Sequence, residues 1–197
     1  MECISVTGGN KLNGTILISG MKNSALPIIF ATILTGDTCI IDNIPRVSDI
    51  ENSLEILRGI GAEVRYLTNN SVSINTANVL PCISDYALTS AIRGSSYLLG
   101  AELGRFHKTK VAQPGGCSIG ARPLDLHMKA FELLGAKTQS GVNGYNIGEA
   151  PNGLTGGQIR FSTVTVGGTV NAILASVLAD GVTTIENAAR EPHIVDP

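Results

Sequence analysis

Apolar residues recur at helical spacing in several parts of the chain, most clearly near residue 50. Four of them share one face of a helix: Ile50, Leu54, Leu57 and Ile60. The spacing predicts an amphipathic helix over 48–60, with Ser48 and Glu51 as a capping box at its start. Gly61 follows the last apolar position and suits the residue after a helix end, where a left-handed backbone is common.

The pattern repeats along the chain. Residues 34–43 resemble residues 178–187 at an offset of 178 − 34 = 144, and residues 60–64 resemble residues 134–138 at an offset of 134 − 60 = 74. Half of 144 is 72, so the offsets predict three units of roughly 72 residues each. Such units bury their apolar faces by stacking on one another.

Each unit is predicted to contain a strand, an apolar helix, a second strand, an amphipathic helix and two closing strands, which places the chain in the α/β class. In the first unit these elements are predicted at 14–19, 23–35, 38–42, 48–60, 62–67 and 71–75. In the second unit they are predicted at 79–83, 86–103, 108–113, 123–134, 136–140 and 144–148, with Pro123 in the first turn of the last helix. The third unit contains only a strand near 157–162, a helix near 168–179, a strand near 182–186 and a helix entry at 190–196.

One loop of the second unit has three more residues than its counterpart in the first. Ile41 aligns with Ala112 at an offset of 71, whereas the offset after the loop is 74, and 74 − 71 = 3. The longer loop contains Cys117 among three glycines and leads through Arg122 into a helix N-terminus, which favours bound anions. A thiol beside an arginine and a helix start can ionise readily and react. The alternative is a flexible turn with an idle cysteine.

Three further segments carry candidate binding residues. Lys22 and Asn23 precede an apolar helix, Arg93 is an isolated charge among small and apolar residues, and 163–168 is a glycine-bearing turn before another helix. Each has a plain alternative as a solvated charge or an ordinary turn. Because stacked repeats bring equivalent connections to one side, we expect Lys22, Cys117, Arg122 and the turn to line one pocket for a phosphorylated substrate.

Composition narrows the function classes. Hydrophobic residues make up 43% of the chain and charged residues 15%, with a net charge of −2, which disfavours nucleic-acid binding because phosphate backbones require a clustered basic face. The four cysteines and three histidines lack the spacing of a zinc site. Apolar runs are too short to span a membrane, and the start does not resemble a signal peptide. We therefore expect a cytoplasmic protein without a metal or cofactor.

Several segments together resemble the enolpyruvyl transferases, most closely the members that act on UDP-N-acetylglucosamine. They are Leu12–Gly14, Ser19–Pro27, Pro114–His127 and Glu186–Pro192, and the resemblance extends over essentially the whole chain. It implies an inverted α/β barrel of two similar domains, each built from βαβαββ repeats, of which this chain is the N-terminal half. Residues 1–20 would then pack with the second domain. Residues 21–197 would form the domain with the catalytic loop, with repeats near 12–77, 78–150 and 151–197, the last truncated.

The resemblance also implies a reaction, in which an enolpyruvyl group moves from phosphoenolpyruvate to the 3-hydroxyl of UDP-N-acetylglucosamine during peptidoglycan precursor synthesis. Lys22 and Arg122 would bind phosphoenolpyruvate, and Cys117 would act as general acid or hold the substrate covalently. The residues implied to contact the UDP-sugar are Asn23, Arg93, Arg122, Pro123, Leu124, Asp125, Leu126, Thr163, Val164, Thr165 and Val166. The second domain would supply an aspartate and another arginine. Thr163 departs from the family, which often has a lysine there.

Two other interpretations remain open. Enolpyruvyl transferases that act on shikimate 3-phosphate do not have the Pro-Gly-Gly-Cys loop, so Cys117 argues against that substrate. A non-catalytic fragment or paralogue that only binds UDP-sugar is favoured, for the chain as given, by the incomplete third unit.

Overall fold

Helices and strands alternate along the chain, which confirms the predicted α/β class. The structure is a computed structural model and describes residues 3–114 and 123–195. Its α-helices are α1 (Lys22–Ala31), α2 (Ser48–Gly59), α3 (Tyr86–Ala91), α4 (Tyr97–Phe106), α5 (Asp125–Leu133), α6 (Val166–Ser176) and α7 (Pro192–Val195). Its strands are β1 (Thr38–Ile41), β2 (Glu63–Thr68), β3 (Ser71–Asn75), β4 (Lys108–Ala112), β5 (Lys137–Val142), β6 (Tyr145–Glu149), β7 (Gln158–Arg160) and β8 (Thr184–Glu186). Short 3-10 helices span Thr32–Leu34 and Arg93–Ser96.

The strands form sheets that repeat one another. The first sheet has the order β1-β3-β2 and the second has the order β4-β6-β5, with antiparallel pairing in both. The third sheet contains the parallel pair β7 and β8, with α6 between them in the chain. Two sheets with one strand order support the internal repeat that the sequence predicts.

The helices that precede β2 and β5 end in the same way. Gly61 has a φ of +108°, and its N–H donates to the carbonyl of Arg58 while the N–H of Ala62 donates to that of Leu57. Gly135 repeats this geometry at the end of α5 with a φ of +94°. This is the hydrogen-bond pattern of a Schellman motif, in which glycine tolerates a left-handed backbone. The predicted role of Gly61 is confirmed.

The core lies around α1, α4 and α6. A Cβ atom at Gly100 would lie 2.7 Å from the Asn171 carbonyl oxygen, and one at Gly104 would lie 2.6 Å from the Leu174 carbonyl oxygen. Two glycines one helical turn apart therefore let α4 approach the backbone of α6. Phe30 in α1 and Phe131 in α5 are fully buried in the same core.

Two predicted strands are not formed. Residues 14–19 have no ladder partner in the described part of the chain, and Ile16, Leu17 and Ile18 are more than three-quarters exposed. Residues 79–83 form turns instead, because their backbone donors bind elsewhere: the N–H of Leu80 donates to the Ile60 carbonyl, and that of Cys82 donates to the Glu102 carboxylate.

Two helix predictions also require correction. The helix predicted over 86–103 is broken at Ile92, whose extended backbone (φ −127°, ψ 138°) separates α3 from the 3-10 helix that begins at Arg93. The capping box is wrong, because Ser48 is the first residue of α2. The Glu51 carboxylate instead accepts hydrogen bonds from the side chains of Arg46 and Tyr66.

The start of α5 is also later than predicted. Pro123 precedes the helix rather than lying in its first turn, since Leu124 is the N-cap and Asp125 is the first helical residue. The predicted helix entry in the third unit is confirmed by α7. Its first residue, Pro192, follows the first residue of α2 by 192 − 48 = 144 positions.

Candidate active site

Three candidate binding residues lie where helical segments begin. Lys22 is the first residue of α1, Arg93 is the first residue of the 3-10 helix before α4, and Val166 is the first residue of α6. Their separations are 93 − 22 = 71 and 166 − 22 = 144, which match the repeat offsets. Because the helix breaks at Ile92, Arg93 begins a helical segment in the second unit, as Lys22 does in the first unit.

Lys22 forms an ion pair at the mouth of its helix. Its Nζ atom lies 2.7 Å from Oδ2 of Asp49, in the first turn of α2. The Lys22 side chain is 46% exposed and the Asp49 side chain 33%, and exposed pairs of this kind contribute only about 0–1 kcal/mol. A bound anion can therefore compete with Asp49 for the ammonium group. The neighbouring Asn23 is also exposed.

The Arg93 turn packs against the beginning of α1. A Cβ atom at Gly94 would lie 3.0 Å from Cδ1 of Leu26, one helical turn beyond Lys22. The positive charge of Arg93 also acts on the imidazole of His127 in α5. The Arg93 turn therefore packs on α1 and lies close enough to α5 for its charge to act there.

His127 is buried where three helices meet. Only 3% of the residue is exposed, and its Nδ1 atom lies 3.0 Å from the Asn171 side-chain amide nitrogen in α6. A Cβ atom at Gly167 would lie 2.9 Å from the ring Cε1 atom, so the ring rests against the start of α6. Burial lowers the pKa of His127 to about 4, as does the charge of Arg93, and Asp125 acts in the opposite direction. The ring is neutral at pH 7.

The turn before α6 is held by its own threonines. Thr165 is the N-cap, and its Oγ1 accepts the N–H of Gly168 at 3.2 Å. The carbonyl of Thr165 accepts the Thr169 hydroxyl at 2.7 Å. The first N–H groups of a helix have no acceptor within it and favour an anion. Thr163 and Val164, just before the turn, are exposed.

The residues at the start of α5 differ in exposure. Pro123 and Asp125 are exposed, Leu124 is 6% exposed and Leu126 is half-buried. Cys117 and Arg122 lie outside the described residues, so their predicted proximity to Lys22 stays a prediction. The structure therefore brings Arg93, Asp125 and the Thr165–Gly167 turn together around His127, with Lys22 one turn from the Arg93 segment.

The other cysteines have a different character. Cys3, Cys39 and Cys82 are free thiols. Burial, with the nearby Glu102 carboxylate, raises the pKa of the Cys82 thiol to about 11, which makes it a poor nucleophile at pH 7. Among the residues that the structure describes, no three histidine, cysteine or acidic side chains are grouped to hold a metal ion.

Sequence reasoning missed three residues of this site. The sequence indicates His127 only as one of three histidines without zinc-site spacing, and it indicates no role for Asn171 or Asp49. A lone amide inside an apolar helix such as α6 was the available signal, because buried amides need hydrogen-bond partners.

Two buried groups, His127 and Glu102, are expected to make the free energy of unfolding depend on pH in opposite directions. His127 has a pKa of 6.5 unfolded and about 4 folded, so its contribution, about 3 kcal/mol, is present above pH 6.5 and is lost as pH falls to 4. Burial raises the pKa of Glu102 from 4.5 to about 7, so its contribution is present below pH 4.5 and is lost as pH rises through 7.

Urea unfolding measured between pH 4 and 7 tests both pH dependences. The free energy of unfolding of His127→Gln, relative to the unchanged protein, should decrease as pH rises from 4 to 6.5, and that of Glu102→Gln should increase as pH rises from 4.5 to 7. Parallel curves for the unchanged protein and either variant would contradict the assignment for that residue.

Comparison with known proteins agrees with this fold. The family described as EPSP synthase (3-phosphoshikimate 1-carboxyvinyltransferase) matches residues 6–197, so the chain belongs to this family of enolpyruvyl transferases. Among solved structures, the enolpyruvyl transferase NikO from Streptomyces tendae has a TM-score of 0.81 at 22% identity, over 96% of this chain and 44% of that one. EPSP synthase from Acinetobacter baumannii has a TM-score of 0.73 at 19% identity, over 92% of this chain and 42% of that one. The implied fold is confirmed.

Relatives of closer sequence carry a particular name. UDP-N-acetylglucosamine 1-carboxyvinyltransferase of Wolinella succinogenes is 44% identical over 195 residues, which are 99% of this chain and 46% of that protein. The protein of the same name from Nitrobacter hamburgensis is 45% identical over 205 residues, which cover all of this chain and 48% of that protein. The chain thus spans about half the length of these relatives. Within the described residues, the helices are too short or too polar to cross a membrane.

Proposed function

We propose that this chain is the half of a UDP-N-acetylglucosamine 1-carboxyvinyltransferase that carries the reactive cysteine. It would take part in transfer of the enolpyruvyl group from phosphoenolpyruvate to the 3-hydroxyl of UDP-N-acetylglucosamine, with release of phosphate. The observation that carries the proposal is the placement of Lys22, Arg93 and the turn before α6 at equivalent helix starts, in a chain 44% identical to an enzyme of that name. Such helix starts favour anions.

The chemistry proceeds by addition and elimination. Cys117 would deliver a proton to the methylene carbon of phosphoenolpyruvate, or hold the substrate covalently, while the sugar hydroxyl adds to the neighbouring carbon and loses its proton to an acid–base group of the second half. Lys22 and Arg122 would bind the phosphate and carboxylate, whose charge they stabilise. Loss of the proton from the methyl group and departure of phosphate then restore the double bond in the product.

The UDP-sugar would lie along the remaining helix starts. Arg93 and the N–H groups at the start of α6 would together contact the diphosphate. Because a helix N-terminus also attracts phosphate, it would compensate for Thr163 in place of a lysine. The other contacts would come from Asn23, from residues 122–126 and from residues 163–166, as the sequence predicts. The product would enter peptidoglycan synthesis in the cytoplasm, which supports cell shape and division.

A second half is needed to complete the site. The relatives are about twice as long as this chain. Two apolar surfaces suit such a partner: the groove between α1 and α6 beside α7, and the exposed segment 3–20, where Leu12 and Leu17 are each 97% exposed. We propose that the second half covers both surfaces and supplies further acid–base and phosphate-binding groups, and that neither a metal nor a cofactor takes part.

Phosphate release provides the direct test. The chain would be assayed alone and fused to the second half of the Wolinella succinogenes relative, with phosphoenolpyruvate and UDP-N-acetylglucosamine. We expect phosphate release by the fusion only when both substrates are present. Lack of release by a folded fusion would contradict the proposal and favour a non-catalytic UDP-sugar-binding protein, while release with shikimate 3-phosphate instead would identify the other substrate class. The identity to the named relatives disfavours that last outcome.

A further inference from the structure

The pair formed by His127 and Asn171 joins the two halves of the predicted nucleotide site. His127 lies in the first turn of α5, directly after Asp125 and Leu126. Asn171 lies in the second turn of α6, 171 − 166 = 5 positions after Val166. Both are buried, with 3% and 0% exposed. Their side chains meet at 3.0 Å, so this contact ties the start of one helix to the start of the other.

The orientation of the Asn171 amide is determined by its other partners. Its oxygen accepts the N–H of Gly100 at 2.8 Å, and its nitrogen donates to the carbonyl of Gly167 at 3.3 Å. The nitrogen therefore faces Nδ1 of His127, and an amide nitrogen can only donate. Nδ1 must accept this hydrogen bond, which leaves the proton of the neutral ring on Nε2.

This arrangement ties α6 to the second unit at two points. The same amide binds the backbone of α4 through Gly100 and the ring on α5 through Nδ1. Gly167 leaves room for the ring, because a Cβ atom there would lie 3.1 Å from Nε2. The charged groups acting on the ring are Arg93 and Asp125, and α6 itself has no ionisable side chain.

We propose that His127 and Asn171 act as positioning residues, which hold the start of α6 against the start of α5 in the geometry that binds the nucleotide diphosphate of the UDP-sugar. This inference rests on the proposed function. The pair acts through the Thr165–Gly167 turn and the Asp125–Leu126 segment rather than through the reacting thiol. Its loss should therefore weaken UDP-sugar binding and leave the chemistry at Cys117 intact.

The test compares His127→Phe, Asn171→Leu and the double variant in the chain fused to the second half of the Wolinella succinogenes relative. UDP-N-acetylglucosamine binding would be measured by calorimetry, and alkylation of Cys117 by an epoxide antibiotic would be measured by intact mass without the nucleotide. We expect each single variant to raise the Kd about fivefold, since a lost hydrogen bond costs about 1 kcal/mol, and the double variant to raise it no further. The alkylation rate should change less than about twofold if the pair acts on UDP-sugar binding alone.

Nitrogen-15 spectra of the imidazole provide a readout that does not depend on substrate. They should show His127 neutral at pH 7 with the proton on Nε2, and Asn171→Leu should shift the Nδ1 signal. An unchanged Kd in Asn171→Leu, additive losses in the double variant, or an equal loss of Cys117 alkylation would overturn the inference. Failure of the unchanged fused enzyme to bind UDP-N-acetylglucosamine would overturn the proposed function as well, and the spectra would then report on the pair alone.

Discussion

Replacement of Cys117 by alanine should reduce turnover of the fused enzyme by at least about 100-fold, because a positioned general acid typically contributes a factor of about 100 to 10,000. The proposed reaction needs a proton at the methylene carbon of phosphoenolpyruvate, and the loop that contains Cys117 leads through Arg122 into α5. Turnover would be measured as phosphate release. In parallel, intact mass after exposure to an epoxide antibiotic should show one adduct in the unchanged protein and none in the variant.

Cys82→Ala is the matched control for this experiment. The Cys82 thiol is held in its protonated form by burial and by Glu102, which raise its pKa to about 11. Removing it should leave both turnover and the single adduct unchanged. Full turnover in Cys117→Ala, or equal labelling of all four cysteines in the unchanged protein, would contradict the assignment of Cys117 as the reactive residue.

Replacement of Lys22 by alanine should lower kcat/KM for phosphoenolpyruvate by about 100- to 1,000-fold, the usual cost of removing a donor aimed at developing negative charge. The ammonium group stands at the first residue of α1 and is accessible, and among the described residues its ion-pair partner is Asp49, whose side chain is 33% exposed. Steady-state kinetics with each substrate varied in turn would measure this. The KM for UDP-N-acetylglucosamine should change much less.

Two controls separate the role of the charge from that of the ion pair. Asp49→Asn removes the partner and keeps the ammonium group, so kcat/KM should change less than about tenfold, in line with the small value of exposed ion pairs. Lys129→Ala removes an exposed lysine on α5 and should have no effect. A large loss in Asp49→Asn with little loss in Lys22→Ala would contradict phosphoenolpyruvate binding by Lys22 and point to a structural ion pair.

The repeat architecture could be predicted from the sequence because the signals that mark it are local. Gly61 and Gly135 end their helices in the same conformation, and both positions were apparent from helical spacing followed by glycine. The candidate sites followed from the same local rule, since Lys22 and the turn before α6 directly precede apolar helices.

The errors occurred where distant partners decide the backbone. Glu102 accepts the N–H of Cys82 and the hydroxyl of Thr109, and it thereby holds residues 79–83 in turns although their composition favours a strand. A strand also needs a ladder partner, so the apolar run within 14–19 could not reveal that the described chain provides none. The break at Ile92 was hidden because small and apolar residues continue on both sides of it.

By itself, the sequence determined the α/β class, the repeat period and the chemical types of the candidate residues, because periodicity and helix-terminal residues depend on neighbours a few positions away. Only the tertiary structure decided that Arg93 begins a helical segment and that His127, Asn171 and Gly167 meet. His127 is 171 − 127 = 44 positions from Asn171 and 167 − 127 = 40 positions from Gly167. Hydrogen bonds between buried side chains depend on how whole helices pack, which local spacing does not record.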